Sequence, residues 1–391
     1  MHERALTDFR AGDRSAVVRN LALAFGATHE SIESWMEFAG FDNLRVLRDG
    51  ERPAACLLQI AMGQYFGGVS VPMLGVAGVA VAPEDRGRGH ARALMHAFVP
   101  EAAAAGWPLA GLYASTHTLY RGVGFEHAGY RFRHTIPFAQ LAARETRGRV
   151  VPLADDDRPE VRACHAAFGA LHDGALDRGP YIWHRIHKFR GVEYLGFGAR
   201  DDDGRLAGYL YLHQSQRSLG VFDILLSDLA FTEAWAGRRL IEFLANFAMA
   251  GVDLVFHGGP THPLFELLPQ QRQRSELLDS WLLRIVDVPR ALAARGYSPA
   301  VHADVHLDVD DPLVPANHGR FVLRVQGGQA VVEPGGRGDL RTTARGLACM
   351  YSGYATPAQA AVLGLVSGEP AVLRAAAGVF AGGTPWMSDM F

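Results

Sequence analysis

The chain has 391 residues, 49% of them apolar and 20% charged, with a net charge of −3 when histidines are neutral. This is an ordinary globular balance, and at roughly 150 residues per domain it predicts two or three domains. No basic excess supports a nucleic-acid footprint; Lys188 is the sole lysine, so 37 of the 38 basic side chains are arginine. Cys56, Cys164 and Cys349 are too few and too scattered for a disulfide framework or a zinc site, so three buried thiols and no metal are expected. The first residues, MHERALTDFRAG, carry charge without an apolar core, unlike a signal peptide. No stretch reaches about 18 apolar residues, and a soluble cytoplasmic protein is expected.

The first 137 residues alternate helix and strand. Residues 14–26 fit an amphipathic helix, and 44–49, 54–61 and 73–82 read as strands. The last of these, MLGVAGVAVA, is apolar on both faces and reads as a buried strand that Pro83 ends. A polar glycine turn, EDRGRG, leads into the helix HARALMHAFVPEAAAAG, which closes at Gly106. LAGLYAS is the next strand, and 122–135 read as a turn and a strand.

A polar stretch at 144–158 reads as a boundary. Beyond it come helices at 159–171 and 180–188 and strands at 193–199, 206–213 and 221–230, then a helix at 232–250 and a strand at 252–257. The order repeats that of the first segment. THTLY (116–120) and THPLF (261–265) both follow a strand that follows a long helix. The second copy has TEAWAGRRL where the first has its glycine turn, and Phe265 where the first has Tyr120. The last hundred residues read as a helix at 288–296, antiparallel strands at 303–309 and 320–333, and three apolar helices.

Chemistry concentrates in VAVAPEDRGRGHARAL, residues 79–94. A buried strand runs into glycines that open a helix. Glycines let backbone N–H groups turn inward, and the helix start adds unpaired donors and the positive dipole end. Such a turn makes a nest for a pyrophosphate; it also serves as a plain strand-to-helix joint.

With the following strand and THTLYRGVGFEHAG, the segment resembles the GNAT acetyltransferases. Arg86, Gly89 and Ala91 match their Arg/Gln-x-x-Gly-x-Gly/Ala motif, and Tyr120, Gly124 and Phe125 match Tyr-x-x-x-Gly-Phe. The order of a GNAT copy, a degenerate copy and a sterol-carrier-like end resembles the Eis family, as does WLLRIVDVPRALAARGY (281–297), the phrase that enters the third domain there. The resemblance implies an α/β (α+β) chain of tandem GNAT folds with mixed sheets, with domains at 1–145, 146–285 and 286–391. It implies acetyl-CoA as co-substrate, a small-molecule amine acceptor such as a polyamine or aminoglycoside, and a closed homo-oligomer, typically a hexamer. Protein lysines or peptide amines are alternative acceptors, and binding of a lipid by the third domain is an alternative role.

Carried over by residue, Val79, Ala80 and Val81 would pair with the pantetheine arm. Gly87, Arg88, Gly89, His90, Ala91 and Arg92 would hold the pyrophosphate, and Ser115 and Thr116 would lie near the thiol. Tyr120 would be the general acid, and the C-terminal carboxylate of Phe391 the base, with His117 as a rival base. A phenol with a pKa near 10 can protonate a leaving thiolate at neutral pH. A carboxylate is a weak base in water and works when desolvated, or by placing an ammonium. For the acceptor, Phe25, Glu30, Glu33, Trp35, Glu37 and Phe38 lie in the segment that walls the acceptor cleft, and Asp389 lies near the terminus. Met390, neutral, counts against a polycation.

Overall fold

The structure is a computed structural model and describes residues 4–391. Its contacts group the chain into two compact units, Met1–Ala128 with Trp281–Gly382 and Phe391, and Gly129–Ser280 with Gly383–Met390. The chain thus passes between units at 128/129, inside a strand, and returns at 280/281.

In chain order the first segment holds β1 (Arg4–Asp8), α1 (Arg14–Phe25), α2 (His29–Ala39), β2 (Leu44–Asp49), β3 (Arg52–Phe66) and β4 (Val69–Val81). Then come α3 (His90–Ala104), β5 (Leu109–Tyr113), α4 (His117–Arg121) and β6 (Glu126–Pro137). The next segment holds β7 (Arg149–Pro152), α5 (Arg158–Gly169), β8 (Leu176–Asp177), α6 (Pro180–His187), β9 (Lys188–Phe189) and β10 (Val192–Glu193). It continues with β11 (Leu195–Arg200), β12 (Leu206–Ser218), β13 (Val221–Phe231), α7 (Ala234–Ala245), β14 (Gly251–Gly258) and β15 (Arg274–Ile285). The last holds α8 (Val288–Ala294), β16 (Ala303–Asp310), β17 (Gly319–Gln326), β18 (Gln329–Pro334), β19 (Leu340–Thr343), α9 (Ala344–Tyr351), α10 (Pro357–Val362), β20 (Val366–Ser367) and α11 (Pro370–Val379).

In the first unit a sheet runs β1-β2-β3-β4-β5 and ends on Trp281–Ile285 of β15, antiparallel everywhere except between β4 and β5. Residues 281–297 are therefore not a linker phrase alone. Their first five residues complete this sheet through the backbone, and the helix begins only at Val288, where Asp287 caps the amide of Arg290. α3 lays Leu94, Met95, Phe98, Val99 and Ala102 on Leu57, Leu74, Val76, Ala110 and Leu112 of the strands, all buried. α1 packs against β3 and β4. The second sheet of this unit runs β18-β17-β16-β19-β20, with α9 and α11 against β16.

In the second unit the order is β7-β11-β12-β13-β14 and then β6, again antiparallel except between β13 and β14. Strand order, strand sense and the placement of α5, α6 and α7 repeat those of α1, α2 and α3. The duplication read from THTLY and THPLF is thus present in the topology. α7 packs Trp235, Leu240, Ile241 and Leu244 on Leu210, Ile224 and Phe256. The expected helix at 232–250 is shorter than read, Ala234–Ala245. All three cysteines are free and buried. Among the described residues no helix is long and apolar enough to cross a membrane.

Candidate functional site

β4 and β5 pair at Met73/Leu109, Leu74/Ala110 and Gly75/Gly111, and then part. From Val76 to Val81, β4 is laddered to β3 alone, so the backbone groups on its other edge line an opening. A bulge lies in this stretch. The register passes from Leu58/Ala77 to Cys56/Ala80, so Gly78 and Val79 together oppose one residue. Gly78 takes φ +58°, and a Cβ there would meet the Trp35 ring at 3.3 Å and Leu21 at 3.4 Å. Val79 is part of this kink and Ala80 and Val81 follow it, Ala80 buried and its two neighbours half-buried.

After Ala82 the chain turns through Pro83–Gly89 into α3. Asp85 is buried and holds the turn by accepting from Arg52 and, at 3.4 Å, from Arg88. Its hydrogen bond from Arg52 keeps its carboxyl below the usual range despite the cost of burial. Gly87 and Gly89 both sit in the left-handed region, at φ +78° and +80°. A Cβ at Gly87 would meet nothing within 4 Å, so this glycine answers a backbone requirement and leaves open space above it. No side chain caps α3, which leaves its first amides available. Arg88 and Arg92 are exposed, and Arg4 ties the loop down through the Arg88 carbonyl at 3.1 Å. His90 is different. Its side chain is wholly buried, neither ring nitrogen has a hydrogen-bond partner among the described residues, and the nearest acid, Asp49, is 3.9 Å away. Burial, then the nearby Arg4, lowers its pKa, so it is a neutral inward wedge that offers the turn its backbone.

At the other end of the opening, β5 runs out at Tyr113 and Ser115 and Thr116 are exposed. Tyr120 lies in the last turn of α4, which follows. It is 4% exposed, packs edge-on against Phe125 at 6.1 Å, and burial pushes its phenol up to about 12. The Gly-Phe pair downstream has a packing reason. Gly124 has φ +88°, and a Cβ there would strike Arg284, which is buried, forks onto Asp311 and donates to the Val123 carbonyl at 2.9 Å. His117 is exposed and stacks on His127 at 4.7 Å.

Phe391 is 8% exposed. Its ring sits edge-on to Tyr113 at 5.7 Å and covers Gly75, where a Cβ would come within 3.0 Å of it. The last residue therefore lies over the point where β4 and β5 part. On the α1–α2 side, exposed Phe25 meets half-buried Trp35 edge-on at 6.0 Å. Glu33 and Glu37 both face Arg14, the latter at 3.7 Å. Asp389 belongs instead to the second unit, where it is buried and paired with Arg178 at 3.0 Å.

The second unit lacks the turn. β13 reaches α7 through Thr232 and Glu233 alone, and Glu233 puts a carboxylate at the helix start, bonded to Trp235 and Arg205. That acid occupies the place an anion would need. Phe265 is buried edge-on to His134 at 4.8 Å and carries no hydroxyl. Arg178 and Asp228, a fully buried ion pair of this unit, were not singled out from sequence, because nothing local marks two charges 50 residues apart as partners.

Two parallel strands that part beside a glycine-built turn at a helix start, with a buried phenol at the far end, define an acyltransferase of the GNAT class. Residues 6–128 and 174–285 each match an acetyltransferase (GNAT) domain, and residues 288–388 match a sterol carrier protein domain. An N-acetyltransferase Eis from Mycobacterium tuberculosis is 27% identical over 325 residues, 78% of each chain. An uncharacterized N-acetyltransferase from Streptomyces avermitilis is 29% identical over 410 residues, 95% of each chain. A solved GCN5-related N-acetyltransferase from Anabaena variabilis shares 30% identity and a TM-score of 0.94, with all of both chains covered. The chain belongs to the GCN5-related N-acetyltransferases, with the tandem GNAT and sterol-carrier layout of the Eis proteins. It is an enzyme of acetyl transfer to amines, and its GNAT domains imply acetyl-CoA as co-substrate.

Proposed function

We propose that the first GNAT repeat transfers the acetyl group of acetyl-CoA to a primary amine of a small acceptor, a polyamine or an aminoglycoside-like molecule, by direct attack in a ternary complex. The observation that carries this reading is the parting of β4 from β5 between the turn at Gly87–Gly89 and Tyr120. The amides from Gly87 to Arg92 and the guanidinium groups of Arg88 and Arg92 hold the pyrophosphate. The free edge of Val79–Val81 pairs with the pantetheine arm, and Ser115 and Thr116 border the thioester.

The amine nitrogen attacks the thioester carbonyl carbon and the carbon–sulfur bond breaks. The sulfur takes the proton of the Tyr120 hydroxyl, and the proton shed by the new ammonium goes to the C-terminal carboxylate on Phe391. A phenol held near 12 is fully protonated at neutral pH and so always has its proton to give. Its reluctance to ionise is offset because a thiolate leaving inside the cleft, away from water, is more basic than one in solution. Burial of the Phe391 ring fixes the carboxylate it carries. Phe25 and Trp35 supply aromatic surface for a cationic acceptor, with Glu33 and Glu37 beside them.

The test is thiol release from acetyl-CoA against aminoglycosides, polyamines and lysine peptides, for the parent, Tyr120→Phe and a chain lacking Phe391. Turnover with a subset of amines that is lost in both variants is expected. Turnover that survives removal of Phe391 would pass the base role to His117 or water.

A further inference from the structure

In the second unit, β13 and β14 also part. They pair at Phe222/Gly251, Ile224/Leu254 and Leu225/Val255, after which β14 stays with β6 and β13 with β12. In this repeat, however, the opening is filled by protein. Residues 383–390 cross the end of β14. The Tyr130 amide donates to the Pro385 carbonyl at 3.1 Å, and the Met387 amide to the Tyr130 carbonyl at 3.2 Å. The Trp386 amide donates to the Asp173 carbonyl at 2.9 Å. The two bonds to Tyr130 form a single parallel bridge between Trp386 and β6, the backbone pairing by which an extended segment docks on a strand.

Trp386 is 3% exposed and lies flat on Gly259, directly after β14, where any Cβ would overlap the indole. His172, His262 and Phe168 surround it at 4.8, 5.6 and 6.4 Å. Asp389 then reaches Arg178, with Nη2 at 3.0 Å and Nε at 3.1 Å. The same fully buried guanidinium forks onto Asp228 of β13, which also accepts from the Tyr209 hydroxyl at 2.6 Å. The space left among Arg178, Asp228, His257, Trp386 and Asp389 is about 10 Å³, room for one water.

We propose that the second repeat has exchanged its acyl groove for a receptor that binds the chain's own C-terminal segment, with Trp386 as the anchor and Arg178 as the latch for Asp389. A buried indole seated on a bare glycine and a charge-assisted fork onto one acid are the marks of recognition, not of a loose end. One residue, Met390, separates the latched acid from Phe391. Asp389 and Arg178 are thus positioning residues for the terminal carboxylate, a consequence that rests on the reading of that carboxylate as the base.

The experiment uses the full chain and the variants Asp389→Asn, Trp386→Ala and Trp386→Phe. Two readouts are taken: the rate at which carboxypeptidase releases Phe391, followed by mass spectrometry, and kcat, KM and the Kd for acetyl-CoA. Asp389→Asn and Trp386→Ala should release Phe391 at least about tenfold faster than the parent, as expected when one anchor of a docked segment is lost. Their kcat should fall by up to about 10²-fold, the cost of an ångström-scale misplacement, with the Kd for acetyl-CoA unchanged. Trp386→Phe, which keeps a ring on Gly259, should recover most of both. Should Asp389→Asn fail to fold, Trp386→Ala carries the test, since it leaves Arg178 with both acids. Release from the parent as fast as from the variants overturns the proposal. Faster release in the variants with kcat unchanged supports the docking and overturns the base role of the carboxylate, so the two failures are told apart.

Discussion

Replacing Gly124 by alanine should destabilise the first unit by two routes. Its φ of +88° lies in a region that costs an L-residue about 1–2 kcal/mol. The new Cβ would also land 2.8 Å from Nε of Arg284 and 3.1 Å from Cβ of Ala344. Arg284 cannot yield, because it is buried, donates to Val123 and Ile285 carbonyls and forks onto Asp311. Overpacking of this kind adds roughly 1–3 kcal/mol. At about 2–4 °C per kcal/mol for a body of this size, the combined loss lowers the melting temperature by about 4–20 °C. Gly87→Ala is the internal control. It carries a similar φ, +78°, but its Cβ meets nothing within 4 Å, so the conformational cost stands alone. Its larger effect should fall on acetyl-CoA, whose stabilisation of the fold at fixed concentration should shrink, since ligand stabilisation scales with affinity. Differential scanning fluorimetry with and without acetyl-CoA reads both quantities. The reasoning is refuted if the two variants melt together without ligand, or if the ligand shift of Gly87→Ala equals that of the parent.

Tyr120→Phe should lower kcat by about 10²–10⁴-fold with the calorimetric Kd for acetyl-CoA unchanged; equal turnover would remove the phenol from the mechanism. Arg178→Met leaves Asp228 and Asp389 facing each other without a cation, and should cost about 3–5 kcal/mol, read as a lower urea midpoint. Burial holds His134 and His172 at about 4 and His257 and His262 at about 3, below the 6.5 of an unfolded chain. The unfolded chain takes up protons that the folded one refuses, so stability is full above pH 6.5 and is lost as pH falls through that value toward 4. Melting scans from pH 7.5 to 4.5 should show this decline, shallower in His172→Phe; a flat profile would count against it.

The first repeat was readable because its signals are local. MLGVAGVAVA is apolar on both faces, the glycines of RGRG mark left-handed positions, and Tyr120 and Gly124 stand four residues apart on one turn. Elements without such a signal were missed. α2 is capped by Thr28 but buries only Ile32, Met36 and Ala39, and β1 is half exposed. The first residues of β15 read as polar, and its role as the partner of β5 depends on a pairing 168 positions away. The fate of Asp389 was illegible for the same reason. A carboxylate near a terminus looks free to meet a substrate until a buried arginine 211 residues upstream claims it. The fork of Arg284 onto Asp311 explains Gly124 only after folding, although the glycine itself was visible.

The strand exchange between repeats sets a schedule for synthesis. The outer edge of β5 is complete at Tyr113, but its partner begins at Trp281. At 5–20 residues per second, a nascent chain carries that open edge for roughly 10–30 s before the covering strand emerges. During that interval the edge presents unpaired N–H and C=O groups to any neighbouring chain. Any ribosome-bound chain that has released Tyr113 and not yet Trp281 is therefore open to edge-to-edge pairing, and is a form that holding chaperones would meet.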